Sequence, residues 1–309
     1  MCSSDLLVAA QHYPSKPVRF ISPYPPGGTN DIVARLLAAR LSQVMGTQWI
    51  VENRPGRGGN IGTELVARAA PDGYTVVHGG MGSLTLAPFL SRLAYDPQRD
   101  FAPVGVTARA PNLIAVHPAL PAQTTVQLIA LARARPGELD YGTSGVGSTP
   151  HLTAALFQSL AKVHMIHVPY KGSSPAVVDL VAGQVHVIVI PISALLPQVA
   201  AGKARAIAVS SLQRSPQLPN VPTVHESGVP GFDMNPWFAM MAPASTPRDI
   251  ILRLNSEMQR YLRSPEAAKA FNGQGADASP GTADELAALI KSDLAVWGKV
   301  IREHGIRGE

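Results

Sequence analysis

Val185-His186-Val187-Ile188-Val189-Ile190 is apolar at all but one position and is bounded by Gly183-Gln184 and Pro191. So short an apolar run between turn residues reads as a strand buried on both faces, and such a strand needs cover on both sides. Comparable runs recur along the chain, at 18–22, 49–52, 74–78, 113–116, 139–142, 165–168, 206–209 and 237–242. Between most of them the apolar residues step by three and four. That spacing predicts helices near 32–45, 64–70, 125–135, 151–161, 175–182, 194–200, 247–264 and 284–304. Thr124/Thr125 and Thr246 stand where caps are expected. Alternating strands and helices imply an α/β fold with a mostly parallel sheet covered on both sides. No repeat of 20–50 residues is visible.

The chain has 309 residues, enough for two lobes. The passage 215–236 holds five prolines (216, 219, 222, 230 and 236) and no helical period. It reads as a connector between lobes. The net charge of +5 is spread without a basic run, and aromatics make up only 6%. No nucleic-acid partner is expected, whereas a diffuse positive charge suits anionic solutes. No apolar stretch of membrane-spanning length occurs.

Cys2 is the only cysteine, so no disulfide forms within the chain. Leu6-Leu7-Val8-Ala9-Ala10 before Gln11-His12 resembles the tail of a secretory signal. The preceding Met1-Cys2-Ser3-Ser4-Asp5-Leu6 has no basic n-region and matches the translation of a common sequencing adapter. Residues 1–12 are therefore expected to be a signal-peptide remnant joined to foreign sequence.

Two loops draw attention. Pro25-Pro26-Gly27-Gly28-Thr29-Asn30-Asp31 joins the first strand to the first helix, with Asn30 and Asp31 as expected caps. Thr143-Ser144-Gly145-Val146-Gly147-Ser148-Thr149-Pro150-His151 does the same further on. Each would aim free N–H groups and a helix dipole at one point, as anion sites do.

Known reaction motifs fail in these loops and elsewhere in the chain. No lysine follows Gly27-Gly28 to meet a phosphate. Gly56-Arg57-Gly58 and Gly145-Val146-Gly147 lack the third glycine of a dinucleotide fingerprint, with Ile61 and Pro150 in its place. Gly142-Thr143-Ser144-Gly145-Val146 lacks the last glycine of a nucleophile elbow. His164 and His167 would face opposite sides of a strand, and His225-Glu226 lacks a second histidine. No metal, cofactor or acid–base pair is expected, and a binding protein becomes the leading class. His151 reads either as a capping residue or as a ligand contact.

Tyr13-Pro14-Ser15-Lys16-Pro17, Pro25-Pro26-Gly27-Gly28 with Asp31, and Val51-Glu52-Asn53-Arg54-Pro55-Gly56 occur in order. Gly58-Gly59-Asn60-Ile61-Gly62, Ala70-Pro71-Asp72-Gly73-Tyr74-Thr75 and Tyr95-Asp96-Pro97 follow. Then come Tyr141-Gly142-Thr143-Ser144-Gly145, His167-Val168-Pro169-Tyr170-Lys171-Gly172, Gly183-Gln184-Val185, Val221-Pro222-Thr223 and Trp297-Gly298-Lys299. Together they resemble the Bug-type extracytoplasmic solute receptors of tripartite tricarboxylate transporters, over essentially the whole chain from Tyr13.

The resemblance implies a type II periplasmic binding protein fold: two α/β lobes joined by two crossovers, with a ligand cleft between them. Lobe 1 is expected at 13–112 and 225–309, and lobe 2 at 113–224. It implies a periplasmic receptor that binds a small organic carboxylate and delivers it to membrane permease subunits, with no covalent chemistry. The ligand would meet Pro26, Gly27, Gly28 and Thr29 on one side. Thr143, Ser144, Gly147, Ser148, Thr149 and His151 would offer donors on the other. Asp31 would cap its helix or hold a water, since it would repel an anion. Lys171 reads as a contact or as exposed surface. Met81, Ser83, Ile190 and Trp237 complete the expected lining.

The sequence departs from the family where an acidic residue and an Asp-Asn pair are common, reading His186 and Ile190-Pro191 instead. Met81 stands where a small hydroxyl residue is common. The expected ligand therefore has an apolar or aromatic body and is not an amino acid, unless Ile190 and Met81 are lobe core. Two other functions stay open: hydrolysis through Ser144, and signalling to a membrane kinase.

Overall fold

A computed structural model describes residues 13–303 and 305–306. The expectation for residues 1–12 lies outside the described residues. The chain divides into two units. Residues 13–108, with 237–271 and 277–297, form the first; 109–236, with 272–276 and the described residues from 298 to 306, form the second.

In the first unit, β1 (Val18–Ser22) leads through the glycine turn to α1 (Thr29–Met45) and β2 (Trp49–Asn53). α2 (Asn60–Ala67), β3 (Thr75–Gly80), a π-helical turn at 82–86 and α3 (Ala87–Leu90) follow, then β4 (Phe101–Arg109). Val33, Leu37 and Leu41 recur every fourth residue, so α1 lays one buried apolar stripe inward. Phe20 and Ile21 of β1 and Val76 and Val77 of β3 are likewise fully buried. Each such side chain contributes roughly 1.5–3 kcal/mol by leaving water.

The second unit holds β5 (Asn112–Val116), α4 (Thr125–Ala134), β6 (Asp140–Thr143), α5 (Thr149–Ala161) and β7 (Ile166–Pro169). α6 (Ser173–Val181), β8 (Val187–Pro191), α7 (Ile192–Ala200) and β9 (Arg205–Val209) complete its main series. The chain then returns to the first unit, with β10 (Trp237–Pro243), α8 (Arg248–Leu262), most of α9 (Pro265–Asn272), β11 (Asp277–Ala278) and most of α10 (Ala283–Glu303).

The sheets run β11-β4-β10-β3-β1-β2 and β7-β6-β8-β5-β9. β1 pairs in parallel with β2 and β3, as β6 does with β7 and β8. β10 runs antiparallel to β3, and β5 runs antiparallel to β8 and β9. The mostly parallel sheet expected from the alternation is thus two mixed sheets. β5 follows β4 after two residues, and β10 follows the proline-rich passage. Neither arrives through a helical crossover, which is what makes neighbouring strands parallel.

Several local expectations need correction. Thr124 caps α4, accepting from Gln127 N–H at 3.2 Å. Thr246 does not cap α8: its hydroxyl donates to Pro243 O at 2.7 Å, and the helix starts after Pro247. The proline-rich passage is more than a connector. Val209 N–H donates to Pro222 O and Val224 N–H to Val209 O, which lays it along β9. β4 escaped the sequence reading because it contains Pro103 and Gly105. Gly105 is needed there, since a Cβ would strike Gly281 O and Asn255 Nδ2.

Candidate functional site

In the first unit, β1 ends at Ser22 and the chain turns through Gly27, at φ 81°, into α1. Only glycine adopts that conformation without strain. The helix has Gly28 at its N-cap and no side-chain cap. Asn30 and Asp31 therefore do other work than the capping expected of them. Asn30 is buried: Nδ2 donates to His78 O at 2.8 Å, and Oδ1 accepts from Ser22 Oγ at 3.0 Å.

Asp31 is 3% exposed. Its carboxylate accepts from Gly27 N–H at 3.0 Å, from Arg35 Nε at 3.0 Å and from Asn53 Nδ2 at 2.8 Å. Burial pushes its pKa up, but the bonds from Arg35, Gly27 and Asn53 and the Arg35 charge outweigh burial and hold the carboxyl below its usual range. Asp31 thus fixes the turn from behind. Behind that turn the helix opens with Ile32 N–H donating to Gly28 O at 3.0 Å.

Other expected lining residues of this unit are covered. Ser83 is fully buried in the π-helical turn, and its carbonyl accepts from Tyr95 Oη at 2.7 Å. Met81 just before it is 3% exposed. Trp237 is 1% exposed, and its indole N–H donates to Asp293 Oδ2 at 2.7 Å.

In the second unit, β6 runs into a loop with Gly145 at φ 128° and Gly147 at φ 73°. Ser148 caps α5, accepting from His151 N–H at 3.3 Å and donating to Gly145 O at 2.6 Å. Gly147 N–H donates to His151 Nδ1 at 3.2 Å. Thr143 Oγ1 lies 2.7 Å from His167 Nε2. Thr143, Ser144, Gly147, Ser148, Thr149 and His151 thus share one loop and helix start. No hydrogen bond joins the Ser144 hydroxyl to a histidine among the described residues. Lys171 is exposed.

Ile190 sits in the core of this unit. It is fully buried in a cluster with Leu113, Leu180, Ile188 and Leu195, and it faces Leu113 across the β5–β8 pair. Sequence reasoning missed Asn53, Arg35 and His167 as partners of these loops. Asn53 and His167 do lie in family-like motifs, Val51 to Gly56 and His167 to Gly172.

Among the described residues, no group of three His, Cys, Asp or Glu could hold a metal ion. No helix there is long and apolar enough to cross a membrane.

Comparison with known proteins follows the same line. The family described as "Tripartite tricarboxylate transporter family receptor" matches residues 33–306. Protein BugT of Bordetella pertussis (strain Tohama I) is 39% identical over 303 residues, covering 97% of this chain and 93% of BugT. Rpa4515 of R. palustris, solved with adipate, is similar with a TM-score of 0.90 at 38% identity, over 96% of this chain and 100% of that one. MatC of Rhodopseudomonas palustris, solved with bound malate, gives 0.85 at 31%, over 94% and 100%. The chain belongs to the tripartite tricarboxylate transporter receptor family and is a solute-binding receptor of the Bug type.

Proposed function

We propose that this protein captures a small organic dicarboxylate in the periplasm and delivers it to the membrane permease of a tripartite tricarboxylate transporter. The observation that carries the reading is the pair of glycine-turned helix starts, at Gly28 and at Ser148, in a chain of this family. Both offer backbone donors at the positive end of a helix, which suits a carboxylate. Pro26, Gly27, Gly28 and Thr29 supply the contacts at the first start. Ser144, Gly147, Ser148, Thr149 and His151 supply them at the second. Asp31 and Thr143 hold the loops in place, and Lys171 attracts the anion from the surface. Capture and release involve no covalent step.

The ligand has an apolar body. β8 ends in Ile190-Pro191 and carries no carboxylate to pair with an ammonium group, and Asp31 is already paired with Arg35. The adipate held by Rpa4515 is a dicarboxylate with a methylene chain, and a ligand of that class fits this reading. Support for apolar lining does not come from Ile190, which is core.

Residues 13–309, refolded free of ligand, would be tested by thermal shift against adipate, shorter and longer aliphatic dicarboxylates, malate, citrate, aromatic acids and glutamate. A ligand at 100 times its dissociation constant adds about 2.7 kcal/mol, a midpoint rise of several degrees. A rise with adipate and its homologues but not with glutamate is expected. A response to glutamate alone would reject the apolar body, and no response to any acid would reject the carboxylate.

A further inference from the structure

Because a backbone N–H only donates, the Gly147 N–H on His151 Nδ1 leaves the His151 proton on Nε2. The ring is then neutral and offers one donor. His167 of β7 lies against it, with imidazole centroids 4.3 Å apart and planes 4° from parallel. Tyr141 of β6 stacks on His167 as well, at 5.0 Å and 18°. His167 Nε2 also meets Thr143 Oγ1 at 2.7 Å. One side chain outside the loop thus touches both ends of it: Thr143, where the loop leaves the sheet, and His151, in the first turn of α5.

Two protonated rings stacked so closely would repel each other. Burial pushes both rings down, and the neighbouring His151 adds to that effect on His167, which falls to about 4. The other titratable or charged groups on the elements around this column are Tyr141 on β6, Tyr170 and Lys171 after β7, and Asp179 on α6. Tyr170 donates its hydroxyl to Asp179 at 2.7 Å, and Lys171 is exposed. Asp140 at the far end of β6 accepts from His186. None of these supplies a counter-charge to a protonated ring in the column.

We propose that His167 is a positioning residue of the anion site, fixing loop 143–149 through Thr143 and holding His151 as a neutral Nε2–H donor. Carboxylate affinity then does not follow histidine protonation between about pH 5.5 and 7.5, where an ordinary imidazole changes charge. This rests on reading the start of α5 as anion-binding.

The test begins without ligand. Imidazole nitrogen NMR of the free protein should show His151 in its Nε2–H form, unchanged from about pH 7.5 to 5.5. In His167→Ala it should titrate within that window. In His167→Phe, which keeps an aromatic face, it should stay neutral. Calorimetry with adipate in two buffers of different ionisation enthalpy then reads proton uptake near pH 6. Wild type should bind without uptake. His167→Ala should bind with uptake and roughly tenfold more weakly, the effect of about one hydrogen bond. His167→Phe should bind more weakly than wild type but without uptake, because it loses only the Thr143 bond. A His151 that titrates in wild type, or a His167→Ala protein with wild-type spectra and affinity, would overturn the proposal. If wild type binds no carboxylate, the anion-site reading fails, while the ligand-free spectra still decide whether His167 holds His151.

Discussion

The carboxylate of Asp31 receives the backbone N–H of Gly27 at 3.0 Å, four residues back along the chain. An acidic residue therefore shapes the start of a helix proposed to greet an anion, without facing it. Asp31→Asn keeps the shape but offers one acceptor in place of two, and it removes the charge that Arg35 pairs with. Asp31→Ala leaves the Asn53 amide and the Gly27 N–H without their acceptor. A buried hydrogen-bonded charge contributes about 2 kcal/mol or more. Asp31→Ala should therefore lower the midpoint by several degrees and weaken adipate binding, with Asp31→Asn intermediate on both. Paired thermal melts and calorimetry would check this. An Asp31→Ala protein with full affinity would mean that the turn holds its shape unaided.

Glu52 of β2 offers a separate test. It accepts from Arg19 Nε at 2.7 Å and Nη2 at 3.0 Å, and from Arg54 Nη2 at 3.0 Å. The Arg19 bond, against burial and with help from Arg54, holds its pKa at about 2. A carboxyl depressed on folding contributes stability that is present above its unfolded value, about 4.3. That contribution is lost as pH falls through about 2. Glu52→Gln should be less stable than wild type at pH 7, and the gap should close on acidification through this window. Added salt should narrow the gap at neutral pH, because Arg19 and Arg54 are partly exposed. Urea melts across pH would measure it, and a gap constant with pH would remove the charge from the explanation.

The parts of the fold that showed in the sequence are those set by local period. Val187 to Ile190 announce a buried strand, and Val33, Leu37 and Leu41 an inward helix face, because each pattern depends on near neighbours alone. Strand direction was less visible. Nothing in Leu113 to Val116 says that β5 runs against β8, since that follows from where the chain has just been. β4 was hidden by Gly105, whose reason is a distant contact with Gly281 and Asn255. In the site, the glycine turns and hydroxyls were legible because special backbone angles demand particular residues. Their supports were not. Asn53 reaches Asp31 across 22 residues, and His167 reaches Thr143 across 24. No short-range pattern encodes such pairs.

His78 should govern part of the acid response. It is fully buried, with Nε2 2.8 Å from Thr107 Oγ1. Burial pushes its pKa down to about 3. Here the folded value lies below the unfolded one, about 6.5. Between the two, the unfolded chain binds a proton that the native state refuses. Stability then falls with pH by up to about 1.4 kcal/mol per unit. His78→Gln retains a polar end for Thr107 and removes the proton. Its stability should decline less steeply from about pH 6.5 downward, even if it is lower at neutrality. Parallel slopes for the two proteins would show that His78 takes up its proton while folded.

Ile190 separates two ideas about specificity. As a lining residue it would set ligand choice; as core it sets stability alone. Its side chain is fully buried among Leu113, Leu180, Ile188 and Leu195. Removing three of its carbons should leave a cavity and cost about 2–5 kcal/mol. Ile190→Ala should therefore melt well below wild type, Ile190→Val slightly below, and both should bind adipate with unchanged affinity at temperatures where they are folded. Ranking the dicarboxylates by chain length on each variant completes the comparison. If Ile190→Ala shifts the preferred length while melting near wild type, Ile190 touches the ligand and the core assignment is wrong. If stability falls and the ranking holds, Ile190 acts on stability alone, as a buried core residue does.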